Sequence, residues 1–425
     1  MAVIQDDLVT SLQHLVGRDT GIVRRLRVYT VGPTDPAFWY VTAEMVGQRV
    51  LTGGVGWDER SALLTCLAEA AERYCASVVE PRRVVRATAQ QLARAGRRTL
   101  NARSDAVSPD GRPYHCDSPF QPFDEQSARD WVEGESLLTG EPVWVPAHLV
   151  YLVYPNKGEQ LWEMTSAGLA AGSTVDDATV RAVCELVERE AVMVTWLTRR
   201  PVARINLDAP GLDHAHEAAA RHRTAGADLQ VFDISTDLRL PATLAIARRD
   251  TGRPALAVGA ACHPDPAQAA TKAIMEAGHI HYLGKIMSRR YSTYRPPTDF
   301  SAIQTFESRA LLYAHPALRS AVDFLWYSGL AAISPPPSPD APTTPAALGN
   351  RLASFFIEAI RVEVTTPEIE KLGLKVVRVV APQLQPMEAN FRFRRFLPSR
   401  LVQWLPEGSP MPWWTALNPL PHPIA

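Results

Sequence analysis

A spacing of glycine, glutamate and arginine occurs twice in this chain and returns in modified form a third time. In the first segment Gly56 lies thirteen positions before Glu69, and in the second Gly172 lies thirteen positions before Glu185. A Glu-Arg pair follows in both segments, and the third segment starts near His263. Three matched segments, each opened by a turn that contains glycine or proline, predict one shared site built from repeats.

Each segment is predicted to form a helix with its charged side chains on one face. Residues three and four positions apart share one side of an α-helix. The positions that project together are Glu69, Glu72 and Arg73 in the first helix, Glu185, Glu188 and Arg189 in the second, and Glu276 and His279 in the third. The other residues of the first two helices are mainly apolar, which predicts that these helices are largely buried.

The predicted helices carry more negative than positive charge. A buried carboxylate needs a cation, a hydrogen-bond donor or a metal ion, because an unpartnered buried charge is strongly destabilising. Each of the first two helices offers one arginine against two glutamates, so magnesium ions shared with substrate phosphates would satisfy the surplus. The alternative is a set of purely structural Glu-Arg pairs. This alternative would be favoured for a single helix, but three matched segments make it the weaker interpretation.

Whole-chain properties narrow the class of protein. A chain of 425 residues predicts two lobes or one large repeat-built domain. The net charge of −1 does not indicate a protein that binds nucleic acid, because such proteins usually carry a net positive charge. The five cysteines contain no CxxC pair and are predicted to be reduced core residues. No signal peptide or long apolar run is visible, so we expect a cytoplasmic protein that does not bind membranes.

The order of elements along the chain predicts a mixed α/β protein with a layered α+β architecture. Helices are expected at 59–79, 176–197, 266–288 and 346–360. Strands are expected at 23–31, 37–51, 202–206, 229–234, 242–248, 255–261 and 374–381, with further strands in 130–153 that break at Thr139-Gly140. Gly53, Gly54 and Gly56 are expected to form a turn, which could place backbone donors near phosphate. The proline-rich segment 334–346 is expected to be a mobile surface loop.

Several segments resemble signature sequences of the YcaO superfamily. They are GGVGWDERSALLTCLAEAAERYCA, WVEGESLLTGEPVWVPAHLVYLVY, TSAGLAAGSTVDDATVRAVCELVEREAVMVTWL and GAACHPDPAQAATKAIMEAGHIH. The chain also ends in a Pro-x-Pro-x-Pro sequence, which resembles the tail of the azoline-forming members. The resemblance covers most of the chain and is strongest to the stand-alone cyclodehydratases of the streptolysin-type branch.

The resemblance implies one YcaO domain across residues 1–425, built from repeated strand–helix cassettes. It also implies an ATP- and Mg2+-dependent enzyme of antibiotic-type peptide biosynthesis. In the implied reaction a Cys thiol, or a Ser or Thr hydroxyl, of a ribosomal precursor peptide adds to the preceding backbone carbonyl. ATP phosphorylates the resulting oxyanion, and loss of phosphate gives a thiazoline or an oxazoline.

The resemblance also assigns roles to individual residues. The residues that match magnesium ligands are Glu69, Glu72, Glu185 and Glu188. Those that match nucleotide or phosphate contacts are Thr65, Arg73, Arg189, Glu276 and His279. The tail 419–425 matches a segment that enters and orders the active site, through Pro419, Pro421, Pro423 and the terminal Ala425.

Four positions depart from the family pattern. Val55 stands where a lysine is frequent, Ala167 where an asparagine is frequent, and His279 where a glutamine is usual. Glu190 replaces a usual aspartate. These changes keep open an alternative in which the chain is a catalytically silent scaffold.

The resemblance implies several partners. They are a ribosomal precursor peptide, an E1-like or winged-helix protein that binds the leader of that peptide, a flavin dehydrogenase that oxidises azolines, and a second copy of the chain in a homodimer. The remaining alternatives are formation of thioamides or amidines by a related backbone activation, which the proline tail argues against, and a generic metal-dependent hydrolase.

Overall fold

The computed structural model describes residues 8–19, 21–47, 51–334 and 340–424. Its strands are β1 (Val23–Tyr29), β2 (Trp39–Met45), β3 (Leu51–Gly56), β4 (Val85–Ala87), β5 (Arg129–Ser136), β6 (Pro142–Pro146), β7 (Leu169–Gly172), β8 (Asp228–Asp233), β9 (Ala242–Arg248), β10 (Leu256–Cys262), β11 (Ile360–Glu363) and β12 (Lys375–Val380). Its α-helices are α1 (Glu59–Cys75), α2 (Ala89–Arg94), α3 (Val175–Thr198), α4 (Asp213–Thr224), α5 (Pro266–Arg290), α6 (Phe306–Tyr313), α7 (Asp323–Trp326), α8 (Pro345–Ala353), α9 (Pro367–Lys371) and α10 (Pro398–Leu401).

The strands form three sheets, and the strand pairs of the described residues are antiparallel. The sheets have the orders β1-β2-β3, β10-β9-β8 and β4-β5-β11-β12-β7, and β6 pairs with β5 in the third sheet. The predicted layered α+β fold is therefore confirmed. The strand order, which the sequence does not predict, follows from these pairings.

Three strand–turn–helix cassettes match the repeats in the sequence: β3 with α1, β7 with α3, and β10 with α5. Each helix begins after a residue that caps it. Asp58 accepts a hydrogen bond from the backbone nitrogen of Ser61 at 2.7 Å, and Thr174 accepts one from that of Asp177 at 3.0 Å. In the third cassette Asp265 caps the helix in the same way. These caps satisfy backbone donors of the first turn and fix where each helix starts.

The repeated spacing between glycine and the helix has a steric cause. A Cβ atom on Gly56 would lie 2.4 Å from the backbone nitrogen of Ala62, and one on Gly172 would lie 2.5 Å from that of Ala178. Only glycine lets the end of the strand approach the first helical turn this closely.

The predicted turn at Gly53, Gly54 and Gly56 is wrong, because all three residues lie in β3. A Cβ atom on Gly54 would lie 2.2 Å from the carbonyl oxygen of Ala62. Glycine is needed here for close contact between strand and helix, not for chain reversal.

The cassettes form a closed ring. Helix α1 packs on its own strand β3 and also contacts β7, α3 packs on β7 and contacts β10, and α5 packs on β10 and contacts β3. Each helix therefore joins two cassettes, and the three junctions between cassettes face a common region.

Other boundaries differ modestly from the predictions. The helix predicted at 346–360 ends at Ala353, and 202–206 forms isolated bridges instead of a strand. Residues 335–339 of the predicted proline-rich loop lie outside the described residues, and Pro345 already opens α8, a position that suits its fixed φ. Among the helices that the structure describes, none is both long enough and apolar enough to cross a membrane.

Candidate active site

The first glutamate of the first two cassettes binds its own cassette. Glu69 Oε2 accepts a hydrogen bond from the backbone nitrogen of Gly53 at 2.9 Å. Glu185 Oε2 accepts one from that of Gly168 at 3.2 Å. Both carboxylates therefore lie beside the strand that precedes their helix.

The second glutamate reaches across to the next cassette. Glu72 Oε1 accepts a hydrogen bond from the backbone nitrogen of Ala171 in β7 at 2.6 Å. Glu188 is similarly stabilised by a backbone hydrogen bond from Cys262 at the end of β10. These bonds mark two of the three junctions in the ring.

An imidazole occupies the third junction. His279 lies so close to β3 that a Cβ atom on Gly53 would be 2.4 Å from its Cε1 atom. Its Nδ1 atom lies 3.8 Å from Glu276 Oε2. The ring is thus closed by a histidine where the other junctions have a carboxylate, which brings the predicted residues of all three helices together.

The two arginines of the ring pair with some of its glutamates. Arg73 Nε lies 2.9 Å from Glu69 Oε1. Arg189 lies between two carboxylates, with nitrogens 3.5 Å from both Glu185 and Glu188. Five glutamates against two arginines and one histidine leave the surplus negative charge that the sequence predicts.

The pKa values reflect this surplus. Burial raises the pKa of Glu72 well above its usual value, and the charges of Glu185 and Glu69 add to the effect. Burial likewise raises the pKa of Glu185, and it raises that of Glu188 to about 7. A cation bound among these carboxylates would remove their mutual repulsion and stabilise their charged forms.

Glu276 and His279 behave as a pair. Burial pushes the pKa of Glu276 upward, but the nearby imidazole of His279 outweighs burial, so this pKa lies below its usual value. Burial pushes the pKa of His279 downward, and the same carboxylate reverses the effect and raises it. The pair favours a positively charged imidazole at the third junction.

The donor set fits magnesium that is shared with a phosphate ligand. Within the described ranges, no three His, Cys, Asp or Glu side chains stand close enough together to hold one metal ion. The carboxylates are instead spread around the ring. Because Mg2+ usually takes one or two carboxylates together with waters and phosphates, this arrangement suits an ion that binds with a nucleotide.

Thr65 lies apart from these partly buried carboxylates. Its side chain is exposed on α1, and its hydroxyl donates to the carbonyl oxygen of Ser61 at 3.0 Å. The hydroxyl precedes Glu69 by one helical turn, so it is available at the rim of the ring.

The Glu190 carboxylate holds neighbouring segments together and does not face the ring. It is fully buried, its Oε1 accepts from Arg400 Nε at 3.0 Å, and its Oε2 accepts from the backbone nitrogen of Gln385 at 2.8 Å. This carboxylate therefore fixes the segment after β12 against α3. Of the other departures from the family pattern, Val55 packs in an apolar cluster and Ala167 donates its backbone nitrogen to Thr165.

The C-terminal tail runs from the surface into the interior. Pro419 is exposed, whereas 421–424 are buried, and Ile424 belongs to the apolar core that includes α3. The predicted contribution of Ala425 lies outside the described residues.

Sequence reasoning missed a second group of charged residues beside the ring. A pocket next to Arg189 is lined by Glu163, Arg378 and Arg395. Burial lowers the pKa of both Arg378 and Arg395 to about 10. The available signals were one arginine within the apolar strand KVVRVV and an arginine run between aromatic residues in FRFRRF.

Glu388, near this pocket, gives a testable pH dependence. It is 6% exposed and lies 3.8 Å from Arg309, yet burial raises its pKa from 4.5 to about 7. Below the lower value the carboxyl is neutral in the folded and the unfolded chain. As the pH rises between the two values the unfolded chain loses its proton first, so folding stability falls by roughly 3 kcal/mol in total.

A Glu388→Gln variant is therefore expected to raise the melting temperature at about pH 8 and to change it much less at about pH 5. Differential scanning calorimetry at both pH values measures this difference. The exposed Glu217, varied to Gln, is the control. An equal shift of the Glu388→Gln variant at the two pH values would contradict the buried ionisation.

A closed ring of strand–helix cassettes, with partly buried carboxylates at two junctions and a histidine at the third, defines a class of protein with a site suited to a magnesium ion and its phosphate ligand. The sequence model described as YcaO cyclodehydratase, ATP- and Mg2+-binding, matches residues 53–385. The chain belongs to the YcaO family. The family resemblance and the predicted cofactors, ATP and Mg2+, are thereby confirmed.

Curated relatives match over about a third of the chain. An uncharacterised protein in the tfuA 3′ region of Rhizobium leguminosarum bv. trifolii is 36% identical over 157 residues, which cover 35% of this chain and 37% of that protein. An uncharacterised protein of Methanothermobacter thermautotrophicus is 27% identical over 157 residues, covering 36% of this chain and 41% of that protein. The matches thus span about two fifths of these relatives.

Solved structures share the fold. A heterocyclase in complex with substrate and cofactor has a TM-score of 0.77 and 23% identity, covering 99% of this chain and 57% of that one. YcaO from Methanopyrus kandleri, bound with AMPPCP and Mg2+, has a TM-score of 0.61 and 16% identity, with coverages of 89% and 91%. The Escherichia coli microcin synthetase McbBCD complex with pro-MccB17 has a TM-score of 0.63 and 13% identity, with coverages of 93% and 96%.

Proposed function

We propose that this chain is an ATP-dependent peptide cyclodehydratase that converts Cys, or Ser and Thr, of a ribosomal precursor peptide into azolines in the cytoplasm. The observation that carries the proposal is the ring of partly buried carboxylates with unbalanced negative charge. Membership of the YcaO family and the fold shared with a heterocyclase support it.

In the proposed site, Glu69, Glu72, Glu185 and Glu188 would hold Mg2+. The ion would neutralise phosphate oxygens during phosphoryl transfer. Arg73, Arg189 and His279 would orient the nucleotide phosphates, with Glu276 holding His279 in place. The exposed hydroxyl of Thr65 would contact the nucleotide from the rim of the ring.

The proposed reaction balances with ATP as its only co-substrate. The thiol or hydroxyl loses its proton to solvent as it forms a bond to the preceding carbonyl carbon, and the resulting oxyanion takes the γ-phosphoryl group, releasing ADP. The amide nitrogen then forms a C=N bond as the C–O bond breaks, its proton leaves, and phosphate departs with the original carbonyl oxygen.

We also propose that residues 419–425 enter the active site and order it. Burial of Pro421 and Pro423 supports this assignment. The tail packs in the same apolar core as α3, the helix that carries Glu185 and Glu188. Pro419 would direct the chain inward from the surface.

The proposed partners follow from the substrate. The microcin synthetase complex that shares this fold has pro-MccB17 bound, which supports a peptide substrate and an assembly of several proteins. We propose that an E1-like or winged-helix protein delivers the precursor to this chain, that the chain forms a homodimer, and that a flavin dehydrogenase acts afterwards.

The test combines Mg-ATP, a Cys-containing precursor peptide and a candidate partner protein. The expected result is release of ADP and phosphate together with loss of one water mass from the peptide for each ring formed. A peptide that exchanges oxygen for sulfur would instead indicate thioamide formation and would contradict azoline formation.

A scaffold function is the second candidate, because Val55, Ala167 and His279 depart from the family pattern. Calorimetry with Mg-ATP separates it from the enzyme. Failure to bind nucleotide would favour the scaffold, whereas binding without turnover would point to the wrong peptide or a missing partner.

A further inference from the structure

The backbone of the C-terminal tail offers more hydrogen-bond acceptors than donors, because Pro419, Pro421 and Pro423 lack a backbone N–H. Two consecutive carbonyls of this tail receive dedicated side-chain donors. Trp196 Nε1 donates to the carbonyl oxygen of Leu420 at 2.9 Å, and the Tyr313 hydroxyl donates to that of Pro421. Buried backbone acceptors need such partners, so these two donors match what a proline-rich segment requires.

The two donors form one rigid unit. Trp196 and Tyr313 are each 2% exposed, and their rings meet edge to face with centroids 6.1 Å apart. Burial raises the pKa of Tyr313, so its hydroxyl keeps the proton that it donates. Neither side chain can leave its carbonyl without disturbing the other's packing.

Contacts on both sides of this pair define the tail's register. Upstream, the backbone nitrogen of Asn418 donates to the carbonyl oxygen of Leu197 at 2.7 Å. Downstream, His422 Nε2 bonds the carbonyl oxygen of Glu388 at 2.8 Å. A shift of one residue would break these contacts together, since each depends on a particular side chain or N–H group.

We propose that Trp196 and Tyr313 are positioning residues that set the register of the tail for catalysis; this inference rests on the proposed cyclodehydratase function. Trp196 lies two helical turns beyond Arg189 on α3, and the same helix carries Glu185 and Glu188. One rigid helix therefore holds both the carboxylate ring and the tail.

The test uses a Tyr313→Phe variant, which removes one hydroxyl and keeps the ring. Hydrogen–deuterium exchange of the peptide covering 417–425 is expected to speed up. The kcat of azoline formation is expected to fall about tenfold, the effect of losing one buried hydrogen bond, with KM for Mg-ATP unchanged. Tyr327→Phe is the matched control, because Tyr327 is 68% exposed.

A second variant, Trp196→Phe, is expected to speed up exchange in the same C-terminal peptide. Unchanged exchange in both variants, or faster exchange with unchanged kcat, would overturn the positioning role. If the unmodified chain neither bound Mg-ATP nor formed azoline, the proposed function would fail, and the exchange measurement would still decide whether these side chains anchor the tail.

Discussion

Replacing Glu72 by glutamine is expected to lower ATP turnover by about 10²–10³-fold, the range found when one preorganised electrostatic contact is removed. Glutamine has nearly the same volume and can still accept from the backbone nitrogen of Ala171. The substitution therefore removes charge from the junction between α1 and β7 while keeping its hydrogen bond. ADP release with Mg-ATP measures the effect.

The fold is expected to survive this change. Because burial already raises the pKa of Glu72, a neutral side chain should leave the melting temperature unchanged or raise it. Glu217→Gln is the control, since Glu217 is an exposed acid paired with Arg221 on α4. Normal turnover by the Glu72→Gln variant would remove Glu72 from the proposed magnesium ligands, and a lower melting temperature would indicate a structural role.

Deleting residues 419–425 is expected to abolish azoline formation while Mg-ATP binding persists. The carboxylate ring is built from residues that precede the tail, so the proposed nucleotide site should remain after the deletion. Mass spectrometry of the peptide and calorimetry with Mg-ATP measure the two properties on the same sample.

The control for the deletion is Met411→Ala, because Met411 precedes the tail and is 80% exposed. Near-ultraviolet circular dichroism checks that the shortened chain keeps its tertiary packing. Azoline formation at the normal rate by the shortened chain would contradict a catalytic contribution of the tail.

Local patterns predicted the main helices well. The helices expected at 176–197 and 266–288 are observed at Val175–Thr198 and Pro266–Arg290. Their apolar periodicity and capping residues are encoded within each segment, so no distant contact is needed to recognise them.

Contacts between distant segments were not predictable in the same way. Glu72 bonds Ala171, which lies 99 positions later, and nothing near either residue signals the pair. The glycines of β3 were misread as a turn because their need for close packing against α1 appears only in three dimensions. The pocket arginine Arg378 was missed for the same reason, since its strand meets Arg189 only after folding.

Closure of the ring also has a consequence for how the protein assembles. The third junction joins His279 in α5 to Gly53 in β3. A folding intermediate in which either β3 or α5 is not yet in place therefore has an incomplete ring. Bringing such distant segments together requires closing a very long loop, which is entropically unfavourable and slows folding. During synthesis the proposed nucleotide site would therefore form only after α5 has emerged.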